Sequence, residues 1–190
     1  MSAPILDFTF PRTWKAEILS TRPSILPARH FVYPRDVEEV ERGALEVLVR
    51  TDEPSTTSSF LATCALGFRD PVVPTGVWSV PNPLEMCAVA GGYAYIIDTA
   101  APDHFTMLRY RPVLAVQPAA EMGLLLFVGH RTILAWGASG EAWESKKLSD
   151  EGISITSIEE VYLRGMGWNL VTDKETPFTL DLQSGALMNA

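Results

Sequence analysis

A chain of 190 residues, 47% hydrophobic and 20% charged, has the composition of one folded domain with its own core, which excludes a disordered or collagen-like polymer. Its formal net charge of −8 repels a phosphate backbone, so nucleic acid is not an expected partner. No apolar run approaches the roughly 20 residues of a membrane helix, and the opening MSAPILDFTFPR lacks a basic stretch followed by an apolar one, so the expectation is a cytoplasmic protein with neither secretion signal nor membrane contact.

Taken in chain order, the first 34 residues hold five of the fourteen prolines: Pro4, Pro11, Pro23, Pro27 and Pro34. Proline removes a backbone donor and restricts the residue before it, which predicts an extended arm with few regular elements. The next stretch, PRDVEEVERG, predicts one short helix. Asp36 is placed to cap it, Glu39 lies where a capping box needs a carboxylate, and Gly43 is placed to end it. Residues 1–43 are therefore read as arm plus helix, and residues 44–190 as the body of a single domain.

From Ala44 the pattern switches to period two. ALEVLVRT sets Leu45, Val47 and Val49 against Glu46, Leu48 and Arg50, the alternation of a half-buried strand. TDEPSTTS reads as a loop and FLATCALGF as the next strand. Short runs rich in β-branched and aromatic residues follow, among them MCAVA, YAYIID, FTMLRY, LLLFVG, TILAW, EAWESKKL, ISITSI, VYLRG, WNLVT and FTLDL. They are bounded by Gly, Pro, Asp or Ser, and none sustains a helical period. The prediction is a mainly β protein built as an antiparallel meander. Cys64 and Cys87 sit inside apolar runs and read as buried free thiols.

Self-comparison aligns CAVAGGYAYIID, LLFVGHRTILAW and VYLRGMGWNLVT on Gly91, Gly129 and Gly165. Each glycine stands between apolar strands, where a tight turn with positive φ is expected. An aromatic recurs after each glycine, as Phe105, Trp143 and Phe178, and is expected to fill the gap between neighbouring sheets. With ASGEAWES and FTLDLQSG, the stretch over residues 85–190 resembles the blades of β-propellers of the pyrroloquinoline-quinone-repeat type. That resemblance implies four-stranded antiparallel blades presenting loops on one face, and it does not imply the quinone. Propellers commonly use four to eight blades of about 40 residues, so the body supplies an open or small closed array. A two-layer sandwich or a barrel is the alternative.

Signatures of chemistry are sparse. His30, His104 and His130 form none of the local spacings of a zinc site, and no metal, cofactor or catalytic residue is assigned. Ser139 lies in GASGE, which is not a nucleophile elbow. The loop DTAAPDH brings Asp98, Asp103 and His104 together, either as polar ligands or as the ordinary residues of a turn. His130 and Arg131 stand at a predicted tight turn, and Trp168 sits between glycines in RGMGWN, which reads as a loop or bulge.

Asp98, His104, His130, Arg131 and Trp168 are thus the candidate ligand-binding residues. The leading functional expectation is a non-catalytic interaction or scaffold domain that meets a protein partner, or a second copy of itself, through loops or sheet edges. The alternative is a small hydrolase or ligand-binding enzyme, which requires a pocket where a histidine and a carboxylate converge.

Overall fold

The computed structural model describes residues 3–35, 43–52, 59–70 and 72–188. The helix expected from Asp36 lies outside the described residues. The fold is mainly β, and its one helical turn among the described residues is the 3₁₀ turn Ala120–Met122. No described helix is long and apolar enough to cross a membrane. The chain packs as two compact units, residues 1–113 and 114–190.

The first unit holds two sheets. In one, β1 (Ile5–Asp7), β6 (Gly76–Ser79), β7 (Glu85–Ala90), β8 (Tyr93–Asp98) and β9 (Phe105–Met107) lie in that order. In the other the order is β2 (Trp14–Leu19), β4 (Ala44–Thr51), β5 (Ser59–Ala65), β3 (His30–Tyr33). Pairings are antiparallel except β1 with β6 and β3 with β5. The proline-rich arm is thus extended but sheet-forming. Its prolines fall between the strands, where their missing N–H groups interrupt no ladder.

Alternation dictates the core of this unit. Leu45, Val47 and Val49 of β4 and Phe60, Ala62 and Cys64 of β5 face Met86, Ala88 and Ala90 of β7 and Tyr95 and Ile97 of β8. Three buried aromatics tie the sheets together through their polar ends. Trp14 Nε1 donates to the Glu85 carbonyl at 3.0 Å, the Tyr33 hydroxyl to that of Pro102 at 2.8 Å, and the Tyr95 hydroxyl to that of Ala65 at 2.9 Å. Each ring buries a large apolar surface without orphaning its donor. Cys64 and Cys87 are unpaired and buried, and burial pushes both thiols up, out of reach of nucleophilic use at neutral pH.

The second unit repeats the layered plan with two antiparallel meanders. The first is β10 (Ala115–Ala119), β11 (Leu124–Val128), β12 (Ile133–Gly137) and β13 (Gly140–Glu144), and the second is β14 (Ile153–Glu159), β15 (Tyr162–Asn169) and β16 (Lys174–Asp181). Leu124, Leu126, Val128, Ile133 and Ala135 of one meet Leu163, Leu180 and Leu182 of the other. Pro118 and Pro177 lie within β10 and β16, both edge strands of their sheets, the position that tolerates a missing donor.

The aligned glycines differ in role. Gly91 and Gly92 adopt φ of 55° and 77° in the β7–β8 turn, and Gly129 opens the β11–β12 turn, its N–H donating to the Thr132 carbonyl at 3.1 Å. Gly165 instead lies inside β15, paired with Phe178 and Ile155, and the β14–β15 turn falls at Glu160, whose φ is 45°. The cause is close approach. A Cβ on Gly165 would stand 2.5 Å from Phe178 Cζ and 2.6 Å from the Ser154 carbonyl oxygen. VYLRG and the start of WNLVT are consequently one strand. It ends where Asn169 Oδ1 accepts from the amides of Val171 (3.0 Å) and Thr172 (3.1 Å), an Asx turn that competes with the ladder.

Candidate binding surfaces

In the first unit, Asp98 and His104 are joined through the main chain. The Asp98 N–H donates to the His104 carbonyl at 3.1 Å, and the His104 N–H to that of Ala101 at 2.8 Å. Asp98 Oδ1 accepts from the amides of Ala100 (2.9 Å) and Ala101 (3.0 Å). Asp103 pairs with Arg35 at 3.5 Å. The carboxylates therefore build the turn and brace it, and that accounts for their place in DTAAPDH.

In the second unit, His130, Arg131 and Trp168 converge on the segment 146–152. The Gly152 N–H donates to the His130 carbonyl at 2.9 Å, the Leu148 N–H to that of Arg131 at 2.8 Å, and the Asp150 N–H to that of Trp168 at 2.8 Å. Arg131 Nε donates to the Asp150 carbonyl at 3.2 Å. The Ser149 hydroxyl meets the Gly152 carbonyl at 2.6 Å and that of Trp168 at 3.2 Å. Trp168 is thus not on a loop. It stands in β15 opposite Glu175, and the flanking Gly167 lets the Leu148 carbonyl oxygen come within 2.2 Å of where a Cβ would be.

This scaffold fixes the β15–β16 hairpin tip. Asp150 Oδ2 accepts from the Leu170 amide at 2.9 Å, and Oδ1 accepts from Lys147 Nζ. These bonds, the lysine's first, hold the Asp150 carboxyl below the usual carboxylate range. On the fixed turn Leu170 is 60% and Val171 92% exposed, two adjacent aliphatic side chains held in water by a backbone with several restraints. Exposed Arg131, Lys146, Lys147 and Lys174 flank the tip, four of the five Arg/Lys that residues 114–190 contain. Chemically the surface offers apolar contact beside charges of both signs, since Glu151, Asp173 and Glu175 are exposed there too. His130 is exposed at its rim.

A polar network at β3, β4 and β5 escaped the sequence reading. The Thr63 hydroxyl donates to Glu46 Oε2 at 2.6 Å, His30 Nε2 lies 2.8 Å from Thr63 Oγ1, and Arg22 Nε lies 3.9 Å from Glu46 Oε1. Histidine, hydroxyl and carboxylate in sequence suggest a relay, but Thr63 is 0% exposed and no substrate reaches its oxygen. Its role is to satisfy a buried carboxylate. Period two places Glu46 on the face opposite Leu45 and Val47. Only the β4–β5 register, which pairs Glu46 with Thr63, brings the two together.

The described residues also form clefts. One in the first unit, of about 1010 Å³, is walled by Leu6, Ile18, Leu45, Leu66, Phe68 and Val73 among others. One in the second, of about 890 Å³, runs between residues 117–122 and 155–160. Neither is lined by a histidine, and no described group of three His, Cys, Asp or Glu residues is placed to hold a metal ion. Comparison with protein-family models gives no match for this chain, and comparison with curated proteins gives none either.

Proposed function

We propose that this chain is a non-catalytic interaction domain whose second unit receives a protein partner at the β15–β16 hairpin tip. The observation that carries the reading is the pairing of exposure with rigidity at Leu170 and Val171. Asp150, Asn169 and the 146–152 segment hold two aliphatic side chains in water. Exposed apolar side chains on a preorganised turn lose little entropy when a partner covers them. Arg131, Lys147 and Lys174 stand beside exposed Glu151, Asp173 and Glu175, which favours a partner carrying both signs of charge around an apolar centre, and these charges act chiefly on the rate of encounter.

The test is a photo-crosslinking residue at Val171 in the full chain, expressed in its own cells, with one at exposed Glu141 as control. A discrete adduct from the tip, lost when Leu170→Asp is added, is the expected result. Identical adducts from both positions, or insensitivity to Leu170→Asp, overturns the reading.

A further inference from the structure

The second unit contains two antiparallel meanders of unequal strand number. β11-β12-β13 carries Trp143 on its third strand, and β14-β15-β16 carries Phe178 on its third. The first meander is completed by β10, which pairs antiparallel with β11 from Ala115↔Val128 to Ala119↔Leu124. The second has three strands. The outer edge of β16 is covered at its C-terminal end by the chain that follows it: Leu180 bridges to Leu187, and the Met188 N–H donates to the Thr179 carbonyl at 2.9 Å. The outer edge of β14, where the counterpart of β10 belongs, pairs with no described strand.

The space beside that edge is the groove of about 890 Å³. Its walls are Gln117–Met122 of the neighbouring meander and 155–160 of β14 and its turn. Ile153, Ile155 and Ile158 of β14 pack on the core but remain partly exposed, so one more strand would finish their burial. β14, ISITSIE, carries neither lysine nor proline, and its only guard of the kinds that blunt an open edge is the bulge between Ile155 and Ser157. Glu121, Glu159 and Glu160 line the groove, and no Lys or Arg does. Arg164, which donates to Glu159 at 2.6 Å, is not among the lining residues.

We infer that the outer edge of β14 accepts an extended segment of a basic partner polypeptide, antiparallel to β14 as β10 is to β11, with apolar side chains alternating with Lys or Arg. Main-chain bonds to the edge supply affinity, while alternation and charge supply selection. One face of the added strand meets the isoleucines, and the other brings cations to Glu121, Glu159 and Glu160. The inference does not depend on the hairpin tip: the groove lies at the Glu159–Tyr162 end of the sheet, and the tip at the other end, where Ile153 pairs with Gly167.

The experiment uses the full chain and an acetylated, amidated peptide of alternating valine and lysine. A peptide of the same composition with its valines and lysines in blocks, and one alternating valine and glutamate, are the comparators. The alternating basic peptide is expected to bind, to slow amide exchange at residues 153–159, and to bind about tenfold more tightly than either comparator. Glu160→Lys and Thr156→Pro, each first shown to fold by its unfolding midpoint, should each weaken it by about tenfold. Leu170→Asp should leave it unchanged, so this site and the tip stand or fall separately.

Equal binding of the blocked peptide means charge attraction alone and overturns the inference, as does protection that falls elsewhere or no binding at all. A dimer of the chain that Thr156→Pro dissolves puts a second copy at the edge and overturns it too.

Discussion

Thr63 and Glu46 face each other across the β4–β5 ladder, hydroxyl to carboxylate at 2.6 Å, with Glu46 only 7% exposed. Arg22 is 3.9 Å from the other carboxylate oxygen and itself half in solvent. Thr63 is therefore the principal partner of a buried anion. Thr63→Val keeps the shape and removes the donor, which should cost about 2–4 kcal/mol. Thr63→Ser should retain most of it. Urea midpoints with an unchanged slope check this, and a valine variant as stable as the parent refutes it.

His30 gives a pH dependence with a defined sign. The one proton of Thr63 goes to Glu46, which leaves His30 Nε2 as the donor in the His30–Thr63 contact at 2.8 Å and sets it against the Arg22 guanidinium, 3.4 Å from the same nitrogen. Burial first, and then the Arg22 guanidinium, lower the pKa of His30 from 6.5, with Glu46 opposing. A base whose pKa is lowered on folding takes its proton more readily when unfolded. Its stabilising contribution is complete above pH 6.5 and is lost as pH falls through the folded value. The stability advantage of the parent over His30→Gln should thus shrink between pH 7.5 and about 5. An advantage that grows on acidification contradicts the assignment.

Gly167 shows what local sequence pattern does not carry. The strands were legible because alternation and Gly/Pro punctuation act locally, and Asp98, Phe105 and Trp143 fell where those rules put them. Proline content alone predicts an irregular arm, whereas the positions of the prolines leave β1, β2 and β3 intact. The prolines stand between strands whose partners come from far along the chain, as β1 pairs with β6. RGMGWN looked like a loop because glycine is read as a turn former, whereas Gly165 and Gly167 stand in β15 to admit Phe178 and the Leu148 carbonyl. His130, Arg131 and Trp168 were legible singly. Their convergence depends on segment 146–152, which carries no periodic signal.

That role of Gly167 is testable directly. A Cβ would meet the Leu148 carbonyl oxygen at 2.2 Å and Ser149 Cβ at 3.1 Å, so backbone has to move. Gly167→Ala should cost about 1–3 kcal/mol and speed amide exchange at Asp150 and Gly152, which bond to Trp168 and His130. Unchanged exchange at both amides contradicts the close-approach account.

Asp150 connects the scaffold to its proposed use. Its two carboxylate oxygens hold the Leu170 amide and Lys147, and both partners keep it ionised below the usual range. Asp150→Ala frees the Leu170 amide and leaves Leu170 and Val171 chemically unchanged. If rigidity carries partner binding, this variant should lose the Val171 crosslink while its unfolding midpoint stays close to the parent's, since exposed ion pairs contribute little to stability. Leu170 amide exchange should accelerate in parallel. Lys147→Met removes one of the two bonds and should give an intermediate yield. A crosslink that persists at full yield in Asp150→Ala, with Leu170 exchange accelerated, would mean that exposure of the aliphatic side chains suffices. The tip would then act as a flexible apolar contact, not a preorganised one.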